Sequence, residues 1–67
     1  MDAEIGFAAG DVFRFIQTNG PSSAAKIRQG TGHTTALVNQ AIGWLARENK
    51  IARSVKGKTV RWTLNQS

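Results

Sequence analysis

The chain has 67 residues, of which 40% are hydrophobic and none is cysteine. A chain this short forms one small domain that buries only about 60% of its unfolded surface, and without cysteine it has neither disulfides nor thiolate metal sites. Nine Lys and Arg against four Asp and Glu give a formal net charge of +5. This favours an anionic partner, most often nucleic acid, although small basic domains also occur without one. No apolar run is long enough to cross a membrane and the N-terminus does not have the form of a signal peptide, so we expect a cytoplasmic protein.

The first predicted helix covers residues 5–18. Apolar residues recur there at the i, i+3, i+4, i+7 spacing of one buried helix face. The segment "NGP" at 19–21 ends the helix, because Gly and Pro do not readily continue it. Phe7 and Phe15 lie away from the centre of the buried face, so they either wrap the edge of the core or form a small exposed apolar patch. The residues of the buried face are Ile5, Ala8, Ala9, Val12, Phe13 and Ile16.

A short second helix is predicted over residues 24–30. Ser23 is suited to cap its N-terminus, since a serine side chain accepts a hydrogen bond from a free N–H group of the first turn. Ala24 and Ile27 are its inward positions. The stretch "GTG" at 30–32 then predicts a tight break before the next helix.

Residues 35–48 form the third predicted helix, with Thr34 as its N-cap and Asn49 in the left-handed conformation that often follows a helix. At 100° per residue, one side collects apolar residues, as a core face should. These are Leu37, Val38, Ala41, Trp44 and Leu45. The far side is small and uncharged; it carries Thr35, Ala36, Asn39, Gly43 and Ala46, flanked by Gln40 and Arg47.

A basic β-hairpin is predicted for residues 51–64, because apolar and polar residues alternate with period 2 on both sides of Gly57. Two registers fit this pattern. A turn at 57–58 pairs Val55 with Val60 and Ile51 with Leu64, whereas a turn at 56–57 pairs Ile51 with Trp62. The cations of the hairpin are Arg53, Lys56, Lys58 and Arg61. The core predicted for the whole chain includes Val12, Phe13, Ile16, Ile27, Leu37, Ala41, Leu45, Val60 and Trp62.

Three helices followed by a basic hairpin is the element order of a winged helix-turn-helix domain, and the chain resembles that superfamily over nearly its full length. The resemblance is carried by "AAGDVFRFI" (8–16), "TG" (31–32) and above all "AIGWLARENKI" (41–51). These stretches are similar to small, single-domain bacterial winged-helix proteins of unassigned function, in which Gly commonly stands where this chain has Asn49. The resemblance implies a mainly α fold with a C-terminal two-stranded wing, in a single domain over residues 1–67. It leaves the function open, because winged helices serve as DNA readers, docking modules and structural additions.

The sequence lacks a set of residues suited to catalysis, so we expect a non-enzymatic protein without cofactor, metal or small-molecule substrate. His33 is the only histidine, and a metal site needs several converging ligands. We therefore expect His33 to be a partly exposed turn residue. The glycine-rich "GTGHT" at 30–34 lacks the lysine and the spacing of a nucleotide-binding loop, and the turn of a helix-turn-helix explains it better.

The leading hypothesis is that the chain binds duplex DNA, in a transcription-related role. The third helix would lie in the major groove, where residues near the start of such a helix meet base edges. Asn and Gln pair with adenine and Thr methyl groups contact thymine, so the candidate base-reading residues are Thr34, Thr35, Asn39 and Gln40. The cations would contact the phosphate backbone, which supplies affinity rather than sequence choice. These candidates are Lys26, Arg28, Arg53, Lys56, Lys58 and Arg61.

An alternative hypothesis uses the same helix for binding a protein partner or for self-association as a homodimer. Small residues let another backbone approach closely. Gly43 costs a helix interior roughly 0.8–1 kcal/mol relative to Ala, which suggests a close neighbour on that side. The residues of this alternative face are Ala36, Gly43, Ala46 and Arg47. The helix alone does not distinguish DNA from a protein.

Overall fold

A computed structural model of the chain describes residues 3–65. It contains three α-helices, α1 (Ala3–Asn19), α2 (Ala24–Thr31) and α3 (Thr35–Arg47), followed by strands β1 (Ile51–Lys56) and β2 (Thr59–Leu64). The two strands pair as an antiparallel hairpin. The predicted architecture of three helices and a two-stranded wing is therefore confirmed. Within residues 3–65, every helix is too short or too polar to span a membrane.

The helix ends follow the local chemistry that the sequence indicates. Ser23 and Thr34 cap α2 and α3, and each hydroxyl oxygen accepts a hydrogen bond of 3.2 Å from the backbone N–H three residues further on. Asn49 closes the end of α3 with a φ of 60°, in the left-handed region. The N–H of Lys50 then donates to the Leu45 carbonyl at 3.0 Å. α3 ends at Arg47, one residue before the predicted end.

The hairpin adopts the first of the two registers. Residues 57–58 form the turn, and Val55 lies opposite Val60. Gly57 takes a φ of 62°, which glycine adopts without the steric cost of a side chain. Because side chains alternate between the faces of a strand, this register sets out two faces. One face carries Ile51, Arg53 and Val55 with Val60, Trp62 and Leu64, and the other carries Ala52, Ser54 and Lys56 with Thr59, Arg61 and Thr63.

The hairpin is tied to the connection between α1 and α2. Ser22 and Trp62 exchange backbone hydrogen bonds of 3.0 and 2.8 Å, which adds one residue of a third strand to the sheet. Ser22 is buried, and its hydroxyl donates to the Gly20 carbonyl at 2.9 Å. This bridge fixes the base of the hairpin against the helices.

The hydrophobic core lies where the three helices meet the base of the hairpin. Ten apolar residues form it: Ala8, Ala9, Val12, Ile16, Ile27, Val38, Ala41, Ile42, Leu45 and Ile51. Four residues of the predicted core, Phe13, Leu37, Val60 and Trp62, are only half-buried. For the hairpin residues the reason is that the helices cover only the base of a two-stranded sheet. The hairpin tip has no such cover, and Val55 there is exposed.

The buried side of α3 is turned toward α2 compared with the side predicted from the sequence. α3 packs against α1 on one flank and α2 on the other, so the inward arc includes Ile42 and leaves Leu37 at its margin. Ala46 is half-buried and packs against the core. The prediction that Ala46 lies on the far, exposed side was therefore wrong.

Phe7 and Phe15, the two aromatic residues of α1 for which the sequence allowed two alternatives, differ in their environment. Phe15 is half-buried and packs against the core, so it wraps the edge as one alternative proposed. Phe7 is 76% exposed and forms an apolar patch on the outer side of α1. The predicted inward residue Ala24 of α2 is half-buried against the core, while Ile27 is fully buried.

Candidate nucleic-acid interface

The turn between α2 and α3 is held by backbone and hydroxyl contacts. Gly32 has a φ of 78°, and its N–H donates to the Arg28 carbonyl at 3.0 Å, which ends α2. The hydroxyl of Thr31 donates to the Ile27 carbonyl at 2.8 Å. Glycine is favoured at position 32 because the left-handed conformation strains other residues. The turn therefore sets the angle at which α3 leaves α2.

α1 supports this turn by direct packing. Gly30 lies against the Phe15 ring so closely that a Cβ built on Gly30 would overlap the ring atoms. Glycine at this position thus allows a close approach that alanine would prevent. The contact fixes the end of α2 against α1.

An ion-pair cluster supports the turn at a second point. Nε2 of His33 lies 2.8 Å from Oδ2 of Asp11, and Nη2 of Arg14 donates to Oδ1 of the same carboxylate at 2.6 Å. An ionised carboxylate only accepts hydrogen bonds, so Nε2 carries the hydrogen in this contact. The hydrogen bond from His33, followed by that from Arg14, lowers the pKa of Asp11 below its ordinary value of 3.8. The side chain of His33 is 25% exposed, in accord with the partly exposed turn residue expected.

The candidate base-reading residues lie at the start of α3 and in its N-terminal half, on two flanks of the helix. Thr35 and Asn39 line a cleft toward α2, whereas Thr34 and Gln40 line another cleft that also contains Glu4. Thr34, Thr35, Asn39 and Gln40 are all exposed. Thr35 and Asn39 are four residues apart, so their side chains are neighbours on the helix surface. We call these four residues the α3 edge. It is polar and uncharged, and its hydroxyl and amide groups both donate and accept hydrogen bonds.

A cation from α2 borders the α3 edge. A cleft of about 160 Å³ between the two helices is lined by Ala24, Ala25, Arg28, Thr35, Val38 and Asn39. Arg28 is exposed, so its guanidinium group is available beside Thr35 and Asn39. An arginine fork matches both a phosphate and the guanine edge. The structure therefore supplies from α2 the positive charge that the start of α3 lacks.

The cations of the hairpin do not form one cluster. Arg53 lies on the face that carries Trp62, Lys56 and Arg61 lie on the opposite face, and Lys58 is in the turn. Arg53, Lys56 and Lys58 are exposed, whereas Arg61 is half-buried. The Nε atom of Arg61 is buried and makes no hydrogen bond with residues 3–65. Lys56 and Lys58 thus lie at the hairpin tip, Arg53 lies near its base opposite Trp62, and Arg61 is the least accessible of the four.

The remaining candidates are divided between the two sides of the molecule. Lys26 is exposed in the first turn of α2. Ala36, Gly43 and Arg47 are exposed on α3, and a Cβ built on Gly43 meets no atom within 4 Å. The alternative face predicted for a protein partner therefore retains these three residues and loses Ala46. The sequence contained no signal for the pairing of Asp11 with His33, because 22 residues separate them.

Sequence comparison assigns nearly the whole chain to one type of domain. The family model described as "Winged helix-turn-helix domain (DUF2582)" matches residues 1–64. Among curated proteins, none matches the chain significantly in sequence.

Similar solved structures include a domain in complex with Z-DNA and a structure with a DNA recognition domain. The Zalpha domain of PKZ from Carassius auratus, in complex with Z-DNA, is 28% identical with a TM-score of 0.78, and the match covers 94% of this chain and 98% of that one. A HOP2 structure, described by its DNA recognition and protein interaction domains, is 31% identical with a TM-score of 0.70, covering 85% and 97%. Protein BT2368 from Bacteroides thetaiotaomicron is 24% identical with a TM-score of 0.83, covering 92% and 76%; it supports the fold alone.

Proposed function

Since the chain belongs to the DUF2582 family of winged helix-turn-helix domains, we propose that it binds duplex DNA, with α3 in the major groove and the hairpin on the backbone. The observation that carries this proposal is the exposed, uncharged α3 edge, of which Thr35 and Asn39 share a cleft with the exposed Arg28. The Z-DNA complex of the similar PKZ domain and the DNA recognition described for HOP2 support the binding of DNA; the groove geometry is inferred from the residues of this chain.

The α3 edge supplies the base contacts. Asn39 and Gln40 are each able to form two hydrogen bonds with an adenine edge, and the methyl groups of Thr34 and Thr35 suit the thymine methyl group. Arg28 shares a cleft with Thr35 and Asn39, so a guanine contact on that flank would come from α2 rather than from α3. We therefore expect the α3 edge to prefer A·T base pairs.

The exposed cations supply affinity. Lysine and arginine side chains that neutralise phosphates release counterions from the duplex, and this term depends on salt but little on sequence. Arg28 shares a cleft with Thr35 and Asn39, and Lys26 is exposed elsewhere on α2. Lys56 and Lys58 lie at the hairpin tip, and Arg53 is exposed near its base. Arg61 is the remaining candidate, and its half-buried side chain makes it the weakest contributor. The net charge of +5 attracts the duplex over a longer range.

A transcription-related role requires that the protein prefer some sequences over others. Phosphate contacts alone give no such preference, so the role depends on the α3 edge. A preference that disappears when Asn39 is replaced, while general affinity remains, would support this role. Binding without any preference would leave a backbone-binding module.

A chemical-shift titration of the full chain with DNA tests the proposal. The ligands are a mixed-sequence right-handed duplex and an alternating CG duplex, whose left-handed form is followed by circular dichroism. Each is added at low and at moderate salt. We expect the amide signals of Thr35, Asn39 and Lys58 to move together with the right-handed duplex, and more strongly at low salt.

Other outcomes of this titration have separate meanings. Shifts on the hairpin without shifts at the α3 edge would contradict the proposed base contacts and indicate nonspecific binding to the backbone. A response only to the alternating CG duplex, with left-handed dichroism, would contradict the major-groove geometry. The absence of shifts at low salt, where attraction is strongest, would contradict DNA binding altogether.

A second candidate function, protein docking, is favoured by a different surface. The groove that contains Trp44 is apolar and open. It lies between α1 and α3 and shares only Gln40 with the α3 edge.

A further inference from the structure

A groove separates α1 from the C-terminal half of α3. Its deeper part has a volume of about 190 Å³ and is lined by Ala9, Gly10, Phe13, Trp44, Leu45 and Lys50. A wider part of about 390 Å³ is lined by Ile5, Gln40, Gly43, Trp44 and Arg47. Trp44 lines both parts, so they adjoin at this residue, and we call them together the Trp44 groove. Trp44 follows Asn39 by five residues, about 140° around the helix, so the groove opens away from the cleft beside Arg28.

The Trp44 groove is apolar and open to solvent. Phe13 and Trp44 are half-buried, and a Cβ built on Gly10 or Gly43 meets no atom within 4 Å. Phe7 lies one turn before Gly10 on α1 and is 76% exposed, but it lines neither part of the groove. Contiguous apolar patches on a small protein mark interaction sites more often than single exposed residues do.

The charges that line the groove have one sign. Within residues 3–65, its ionisable lining residues are Arg47 and Lys50, and both are exposed. Glu48 lies between them in sequence but lines neither part. Two cations at the end of an apolar groove are complementary to a segment that combines apolar side chains with carboxylates.

From this charge complementarity we propose that the Trp44 groove binds an acidic amphipathic helix of a partner protein. One large apolar side chain of the partner enters between Phe13 and Trp44, and its carboxylates lie beside Arg47 and Lys50. The deeper part is smaller than the roughly 300–1,000 Å³ of small-molecule sites, and its size suits a single side chain. Binding of an amphipathic helix in an apolar groove is a recurrent mode of peptide recognition.

The groove differs from the interaction face predicted from the sequence. It shares Gly43 and Arg47 with that face, but it adds the outer side of α1 and excludes Ala46. The cleft beside Arg28 lies on the other flank of α3. The inference therefore does not depend on DNA binding.

A matched pair of peptides tests the proposal. The first is about 14 residues long, four helical turns, with leucines at i and i+4 spacing among Glu and Asp; in the second, every acid is replaced by Lys. Each is titrated into the isotope-labelled full chain. We expect the acidic peptide to move the Trp44 indole N–H and the amides of Gly10 and Lys50, while the Trp62 indole stays in place. The basic twin leaves all of them unchanged.

Charge reversal in the groove sharpens this test. Arg47→Glu combined with Lys50→Glu removes two attractions and adds two repulsions, so it weakens the acidic peptide by about tenfold or more and lets the basic twin bind. A gain for the basic twin does not follow from a folding defect. Lys56→Glu combined with Lys58→Glu makes the same change in net charge on the hairpin, and it leaves binding of the acidic peptide within about twofold of the wild type, since these sites lie outside the groove. Gly10→Leu adds a side chain where a Cβ meets no atom within 4 Å. It therefore blocks the groove while α1 stays folded.

Several results would overturn the proposal. Equal shifts with both peptides, or none with either, contradict recognition by charge and apolar surface together. If the signals of the same residues shift as the protein concentration is raised without peptide, the groove binds a second copy of the chain. Larger shifts at Trp44 with duplex DNA than with the acidic peptide assign it to DNA. A positive peptide result beside a failed DNA titration contradicts only the proposed DNA binding.

Discussion

The α3 edge and the hairpin differ first in charge. The 13 residues of α3 contain one cation, Arg47, at the last position, whereas residues 51–64 contain four. Neither segment contains an acid. Uncharged amides and hydroxyls distinguish bases, and cations hold phosphates of any sequence. The comparison supports the proposal that specificity and affinity reside in separate parts of this molecule, with Arg28 as a cation beside the proposed base-reading residues Thr35 and Asn39.

The two regions also differ in how firmly they are supported. α3 buries Val38, Ala41, Ile42 and Leu45 in the core, and Thr34 and Asn49 close its ends. The hairpin is anchored at its base by Ile51 and by the bridge between Ser22 and Trp62, while its tip is exposed. Segments with few buried contacts open at lower free energy cost. We therefore expect hydrogen exchange to be slower in α3 than at the hairpin tip.

The largest effect is expected from a core substitution that destabilises the α3 edge and the hairpin together. Leu45 is buried in the core between α1 and α3, so Leu45→Ala should lower the free energy of unfolding by about 2–5 kcal/mol. Urea denaturation measures this loss, which could unfold so small a domain. Val55→Ala at the exposed hairpin tip is the control, with an expected change within about 0.5 kcal/mol. A normal unfolding curve for Leu45→Ala would show that the core is wrongly assigned.

The same substitution, glycine to alanine, at positions 30 and 43 distinguishes the packed turn from the open outer face of α3. Gly30→Ala should lower stability by about 1–2 kcal/mol, because displacing the Phe15 ring outweighs the gain in helix propensity. Gly43→Ala meets open space and should raise stability by up to about 1 kcal/mol. Thermal unfolding of both variants gives the two signs. Equal effects would mean that Phe15 moves aside at little cost and that α1 does not hold the turn.

Local signals in the sequence are sufficient for the elements of this fold. Ser23, Thr34 and Asn49 mark helix ends through contacts with their own neighbours, and the period-2 pattern marks the hairpin. Its register could not be chosen, since both turns place most apolar residues on one face. The structure selects the one in which Gly57 takes positive φ.

Features that depend on packing between distant segments could not be predicted. A helical wheel gives the relative order of side chains but not which flank faces a neighbour, so Ile42 was left out of the predicted core face and Ala46 was misplaced. The contact between Asp11 and His33 joins residues far apart in sequence. Phe13 and Trp44 have the spacing of core residues, and only the crossing of α1 and α3 makes them the walls of a groove. The candidate base-reading and phosphate-binding residues remain predictions.

A smaller effect is expected at the ion pair beneath the turn. The pKa of Asp11 is lower in the folded chain than its ordinary value of 3.8, so the unfolded chain binds more protons in acid. The pair therefore stabilises the fold above that value, and the contribution is lost as the pH falls through the folded pKa. Because the pair is partly exposed, we expect less than about 1 kcal/mol.

Asp11→Asn should remove this part of the acid dependence of unfolding, measured by urea titration between neutral pH and about pH 3. His33→Gln should remove more of it than Arg14→Gln, since the hydrogen bond from His33 is the main cause of the lowered pKa. An Asp11→Asn variant with the acid dependence of the wild type would show that the pair does not support the turn.

We assign base recognition to the α3 edge and phosphate binding to the hairpin. This proposed assignment is tested most directly by DNA affinity measured against salt, for several duplex sequences and two variants. Lys56→Ala combined with Lys58→Ala should weaken binding to all sequences alike and lower the log–log salt slope by up to about 0.9 per lost phosphate contact. Asn39→Ala should instead lose roughly 1–3 kcal/mol of preference at one base pair, with little change in slope. If Asn39→Ala changes the slope without changing the preference, or the lysine variant changes the preference, the two regions do not have separate tasks and the account is contradicted.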